Sequence, residues 1–149
     1  MNRTPLHIAA GTRADLSTLQ LLVRSSPITC SIQDVDGMTP LHFACDSTCE
    51  LFEGDENCKR ELPTIVVLST LIRAYPLALT LDDNGERNAL EYAILTDAPL
   101  NVVRFLQYVT RQQNQIKAQQ EMILQLSSTL HRRGVSLDHR PRDNHLPPF

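Results

Sequence analysis

Tryptophan is absent from the 149 residues, aromatic side chains make up only 5% of them, and there are just 5 glycines. Collagen-like and glycine-rich disordered chains are thereby excluded, and a leucine-packed helical core is favoured over one built on large aromatic anchors. Long apolar runs are also missing. The longest, 64–72, ends at Arg73, well short of the roughly 20 residues a membrane span requires. The start of the chain, Met1-Asn2-Arg3-Thr4-Pro5, reaches a proline before any apolar run and so lacks a secretory h-region. An intracellular, cytoplasmic chain without a membrane contact is expected. No Gly-rich phosphate loop, Gly-x-Ser-x-Gly elbow or His-Glu-x-x-His helix occurs, so neither catalysis nor a cofactor is expected.

What is present suits one folded unit with a usable apolar core: 42% hydrophobic and 21% charged residues. Charge is unevenly placed. Residues 1–103 hold 7 basic and 14 acidic side chains, residues 104–149 hold 7 basic and 3 acidic, and the two parts are expected to play different roles. The basic residues of the second part are scattered and not interleaved with aromatics, so a nucleic-acid platform is not expected.

The chain repeats itself. Thr4-Pro5-Leu6-His7-Ile8-Ala9-Ala10 recurs 35 residues on as Thr39-Pro40-Leu41-His42-Phe43-Ala44-Cys45. A second offset, of 49, relates Leu19, Leu22, Val23 and Arg24 to Leu68, Leu71, Ile72 and Arg73, and also Pro27 to Pro76 and Asp34 to Asp83. The two offsets differ by 14, which measures an insertion between Cys45 and Thr64. Each unit reads as two short helices. Thr serves as N-cap with Pro at the first helical position, where a missing N–H costs nothing, and the second helix carries apolar residues at i, i+3 and i+4. In the third unit Asn88 and Glu91 take the N-cap and N3 places of a capping box.

On these residues the chain resembles the ankyrin repeat family, whose unit of about 33 residues is a β-turn followed by an antiparallel helix pair. The second unit, Asp34-x-x-Gly37-x-Thr39-Pro40-Leu41-His42-x-Ala44-Cys45, follows the family pattern nearly position by position. The third departs from it, with Arg87-Asn88-Ala89-Leu90-Glu91 in place of the motif and its glycine one position early, at Gly85. The first begins inside the motif, which leaves a longer array open. The resemblance implies an all-α helix-turn-helix solenoid of about three repeats over 1–108, followed by a long C-terminal helix. It also implies that the structural residues Thr4, Pro5, Leu6, His7, Thr39, Pro40, Leu41 and His42 close each repeat, with the imidazoles bound to the Thr hydroxyl and to neighbouring turn backbone.

The insertion, 46–63, carries Asp46, Glu50, Glu53, Asp55, Glu56 and Glu61 and reads as an acidic solvated loop. Cys45, Cys49 and Cys58 form with His42 a His-x2-Cys-x3-Cys-x8-Cys set, but it lacks a Cys-x2-Cys knuckle and two members already serve the repeat, so no metal site is expected. After Thr110 no breaker occurs before Gly134, which predicts one helix over about 99–133. Its residues 109–133 place Val109, Ile116, Ile123 and Leu130 seven apart, with Leu126 between, but Gln112 and Gln119 at the other seam positions. A weak coiled coil with a partner helix, folding back onto the repeats, and a solvated helix all fit this pattern. Residues 134–149 read as a disordered tail.

The expected function, from the resemblance, is a non-catalytic protein-interaction scaffold with a protein partner. The family's variable positions carried onto this chain are Ile8, Val35, Asp36, Met38, Phe43, Asn84, Gly85, Arg87 and Tyr92, with Phe43 and Tyr92 as aromatic anchors unless the insertion makes Phe43 core. The carboxylate pairs Asp34/Asp36 and Asp82/Asp83 precede a glycine in a tight turn and read as backbone caps. The competing reading is a self-associating structural protein that forms a weak homodimer through its last helix.

Overall fold

The computed structural model describes residues 2–49 and 62–134, so most of the insertion and the tail from 135 lie outside the described residues. Among the described residues the chain is all-helical. Two compact units are distinguished, Met1–Asn114 and Gln115–Phe149.

The first unit contains α1 (Pro5–Gly11), α2 (Leu16–Ser25), α3 (Pro40–Cys45), α4 (Ile65–Ala74), α5 (Ala89–Leu95) and the beginning of α6 (Leu100–Arg132). α1, α3 and α5 lie side by side in one row, and α2 packs on α4 in a second row joined to the first within each repeat. Local chemistry starts each helix of the first row. Thr4 holds an extended backbone, accepts the His7 N–H and is followed by Pro5, while Asn88 accepts the Glu91 N–H as Glu91 reaches back to the Asn88 N–H. α2 is capped instead by Asp15, whose carboxylate accepts from Ser17 Oγ, Thr18 Oγ1 and the Thr18 N–H and is held down to about 2 by those bonds.

The periodic apolar residues meet in one core. Leu6, Leu19, Leu41, Leu68, Leu71, Val102 and Leu106 are each no more than 2% exposed, and Leu22 packs at its edge. Burying a leucine of this kind stabilises by about 1.5–3 kcal/mol, and no repeat can achieve it without a neighbour. Pro27 and Pro76 end their helices, yet each also opens a five-residue 3₁₀ turn, Pro27–Ser31 and Pro76–Thr80, that carries Cys30 or Ala78 and Leu79 into the core.

Between the helices of a repeat the chain turns through left-handed residues, Arg13 at φ 59° and Asp97 at φ 53°. Arg13 then crosses to the next repeat and donates to Ala44 O at 2.8 Å and Asp46 O at 2.5 Å, the open carbonyl end of α3. Thr96 plays a matching part, its hydroxyl donating to Tyr92 O and accepting the Ser47 N–H. Residues 46–49 are therefore tied to the stack, and Cys49 is 5% exposed in the core, so the solvated part of the insertion does not begin at 46.

α6 runs unbroken for 33 residues, and its residues from Gln115 on belong to the second unit. All side chains over 114–129 are exposed.

Candidate turn-face binding site

Two turns, 34–38 and 83–87, precede α3 and α5 and are built alike. The Asp34 carboxylate accepts the N–H groups of Asp36 and Met38, both at 3.0 Å, and Asp83 accepts those of Gly85 and Arg87 at 2.8 and 2.9 Å. These aspartates do cap their own backbone. The oxygens that a general base would need are already engaged.

The turns are bonded to each other. Asn84 donates from its backbone to Asp36 O and from its side-chain amide to Val35 O, both at 2.9 Å, and Gln33 Nε2 bridges Gly37 O and Asp82 O. Histidines lock the turns to the helices. His7 Nδ1 accepts the Thr4 N–H at 3.0 Å and Nε2 donates to Met38 O of the following turn, while His42 makes the same pair with the Thr39 N–H and Arg87 O. Both rings are fully buried, and burial lowers their pKa values, so they stand as neutral Nε2–H tautomers. With both nitrogens bonded, His42 has no lone pair left for a metal, and among the described residues no metal-holding cluster occurs. Cys58 lies outside the described residues. The Cys30 and Cys45 thiols are buried and their pKa values pushed up.

An aromatic ring stands beside each histidine. Phe43 meets the His7 ring edge-on at 5.6 Å with the Arg3 guanidinium 5.2 Å from its centroid. Tyr92 meets His42 at 5.6 Å with the Arg87 guanidinium at 5.3 Å. Arg3 is further fixed by Asp34 at 3.2 Å, and Tyr92 OH donates to Asp83 at 2.6 Å. Burial, then the Asp83 charge and hydrogen bond, push the Tyr92 hydroxyl up to about 12. Burial alone would raise Asp83, but the bonds from Tyr92, Arg87 and Gly85 hold it below the usual carboxylate range.

This geometry sorts the residues expected to meet a partner. Val35, Asp36, Asn84, Gly85 and Arg87 are exposed on the turns, Ile8 is exposed on α1, and Met38 and Tyr92 are half-buried. Phe43 is different. At 4% exposure, enclosed by His7 and Arg3, it is a core residue and not a surface anchor. Arg3 and Arg87 both stand immediately before an N-cap residue, but Arg87 covers the ring of its own repeat and Arg3 that of the next, so the cover over Phe43 has no local signal in the sequence.

No curated protein and no solved structure matches the chain. The Ankyrin repeat family model matches residues 1–34, which span α1, α2 and the 3₁₀ turn up to the first bonded aspartate. The chain thus carries an ankyrin repeat over residues 1–34, and the same Thr-Pro-Leu-His closure stands again at Thr39–His42, where His42 accepts the Thr39 N–H and donates to the Arg87 carbonyl.

Proposed function

We propose that the turn face is a docking surface for a protein partner and that the chain works as a non-catalytic scaffold inside the cell. Ankyrin repeats are protein-interaction modules. The finer assignment rests on one observation: Val35, an apolar side chain at 56% exposure, is displayed on backbone already immobilised by bonds between turns, and Ile8 at 42% exposure stands on the neighbouring helix α1. A surface ordered before binding loses little entropy on association. Asp36, Asn84, Gly85 and Arg87 surround Val35 with polar groups for specificity, and Met38 and Tyr92 lend half-buried apolar area. Buried thiols such as Cys45 suit a reducing compartment.

The test is affinity capture of the full gene product and of an Ile8→Glu, Val35→Glu variant, quantified by mass spectrometry. Loss of a partner by a variant that melts like the wild type supports the docking face. Retention of every partner refutes it.

A second reading draws on α6. Ile116, Met122, Ile123, Leu124 and Leu126 are each 46% exposed or more, a density of apolar side chains that suits pairing with the same helix of another copy. The seam glutamines Gln112 and Gln119 make such a dimer weak.

A further inference from the structure

A second feature lies away from the turns, on the row formed by α2 and α4. Between these helices is an open cleft of about 400 Å³ floored by Val23, Pro27 and Ala74. Arg24 stands on one helix and Arg73 on the other, at the same place in successive repeats. Both are exposed, and among the described residues neither forms a salt bridge or a hydrogen bond. Neither α2 nor α4 contains an acidic residue, and Asp15, at the far end of α2, is taken up by its cap. By contrast Arg3, Arg13 and Arg87 are each fixed to a carboxylate or to carbonyls. A cation in the last turn of a helix favours the dipole, but that role does not account for two unbonded guanidinia at the rim of an apolar floor.

We propose that this cleft is a binding site for an acidic helical peptide segment of another protein. Packed helices stand about 8–10 Å apart, so the backbones that carry the two arginines are separated on that scale, within the reach of their long side chains. Two carboxylates seven residues apart on a helix lie about 10 Å apart on one face, so they reach both guanidinia while an apolar side chain midway enters the floor. Gln20 and Thr70 line the same cleft and supply hydrogen-bonding groups beside the charges. Charge complementarity selects the occupant. Two cations around a concave apolar floor match a short acidic segment, whereas a membrane or a nucleic acid is held by a broader cationic field. The site shares no residue with the turn face and stands whether or not that face binds a partner.

The experiment is fluorescence anisotropy on the full chain with a labelled alanine-based helical peptide carrying two glutamates seven residues apart and a leucine midway. Saturable binding should weaken at least about tenfold when both glutamates are replaced by glutamine, and by a similar factor in an Arg24→Gln, Arg73→Gln variant. That variant should stay folded and melt only a few degrees below the wild type, because it removes two last-turn cations worth about 0.3–1 kcal/mol each and no bonded group among the described residues, and Val35→Glu should leave peptide affinity unchanged. Equal affinity for the wild type and the double arginine variant overturns the proposal, as does no saturation of the wild type. Loss of binding on Val35→Glu overturns it by placing the peptide on the turn face. Phosphatidylserine vesicles that bind the chain through Arg24 and Arg73 where the peptide does not would make the cleft a membrane contact, and that too overturns it.

Discussion

Residues 37 and 86 occupy the same place in successive turns, and both hold a left-handed backbone: Gly37 at φ 78° and Glu86 at φ 59°. Opposite substitutions there should have opposite effects. A side chain in the left-handed region costs about 1–2 kcal/mol that glycine avoids. At Gly37 a second cost adds to this, since a Cβ would stand 2.8 Å from Asn84 N and 2.7 Å from its Oδ1. The amide oxygen can swing away. The backbone nitrogen cannot, because it is bonded to Asp36 O, so the turns must separate and lose bonds worth about 0.5–1.5 kcal/mol each. With the roughly 0.5–1 kcal/mol that alanine regains in chain entropy subtracted, Gly37→Ala should destabilise the stack by about 2–4 kcal/mol, a large share of the roughly 5–15 kcal/mol available to a domain. Glu86→Gly relieves the left-handed cost and loses about 0.5–1 kcal/mol in chain entropy, for a net stabilisation of about 0.5–1 kcal/mol. Urea unfolding followed by helical circular dichroism measures both. A Gly37→Ala variant within about 1 kcal/mol of wild type would refute the close approach of the turns, and a destabilised Glu86→Gly would refute the strain assigned to Glu86.

Leu41 is 1% exposed in the middle repeat, so Leu41→Ala should cost about 2–5 kcal/mol and lower one cooperative transition; loss of only part of the helical signal would show that the repeats melt separately. His7 and His42 are buried with lowered pKa values, so below about pH 6.5 the unfolded chain takes up protons that the folded one refuses. Their stabilisation is complete above that pH and is lost as pH falls toward the folded pKa values; the melting temperature should drop between pH 7.5 and 5, and less steeply for His42→Gln, whereas a flat profile would contradict neutral burial. Sedimentation equilibrium should show a concentration-dependent monomer–dimer equilibrium that Ile116→Lys with Ile123→Lys abolishes without changing the melt, and a wholly monomeric wild type would remove the pairing role of α6.

Much of the stack is legible in the sequence because its signals are local. Thr4-Pro5 and the Asn88/Glu91 box start helices through bonds made within one turn, and the i, i+3, i+4 spacing of Leu68, Leu71 and Ile72 marks a buried stripe whatever it packs on. The site is less legible. Phe43 occupies a variable position of the motif, and its burial depends on Arg3, 40 residues earlier, lying over its ring. That contact has no short-range signature. The 3₁₀ turns after Pro27 and Pro76 are hidden for a related reason, since proline marks the end of a helix without fixing the conformation of the residues after it. The left-handed Glu86 is the converse case: the displaced glycine at Gly85 signals a departure from the pattern, and only the backbone shows that the turn kept its shape and accepted the strain.

Net charge also takes a different meaning once the bonds are known. The acidic excess over 1–103 suggests a face that attracts basic partners, yet the carboxylates of Asp15, Asp34 and Asp83 are all occupied by backbone N–H groups. A carboxylate that accepts two amide donors has given most of its interaction energy to the turn, and it offers a partner far less than its formal charge implies. Arg3 and Arg87 are likewise taken up by Asp34 and Asp83 and by the rings of Phe43 and Tyr92. Among the described residues, the cations of α2 and α4 are left without an ion pair. Specificity for a partner therefore depends on which ions are not already engaged, and among the described residues those at the cleft of Arg24 and Arg73 have the opposite sign from the excess counted along this part of the chain.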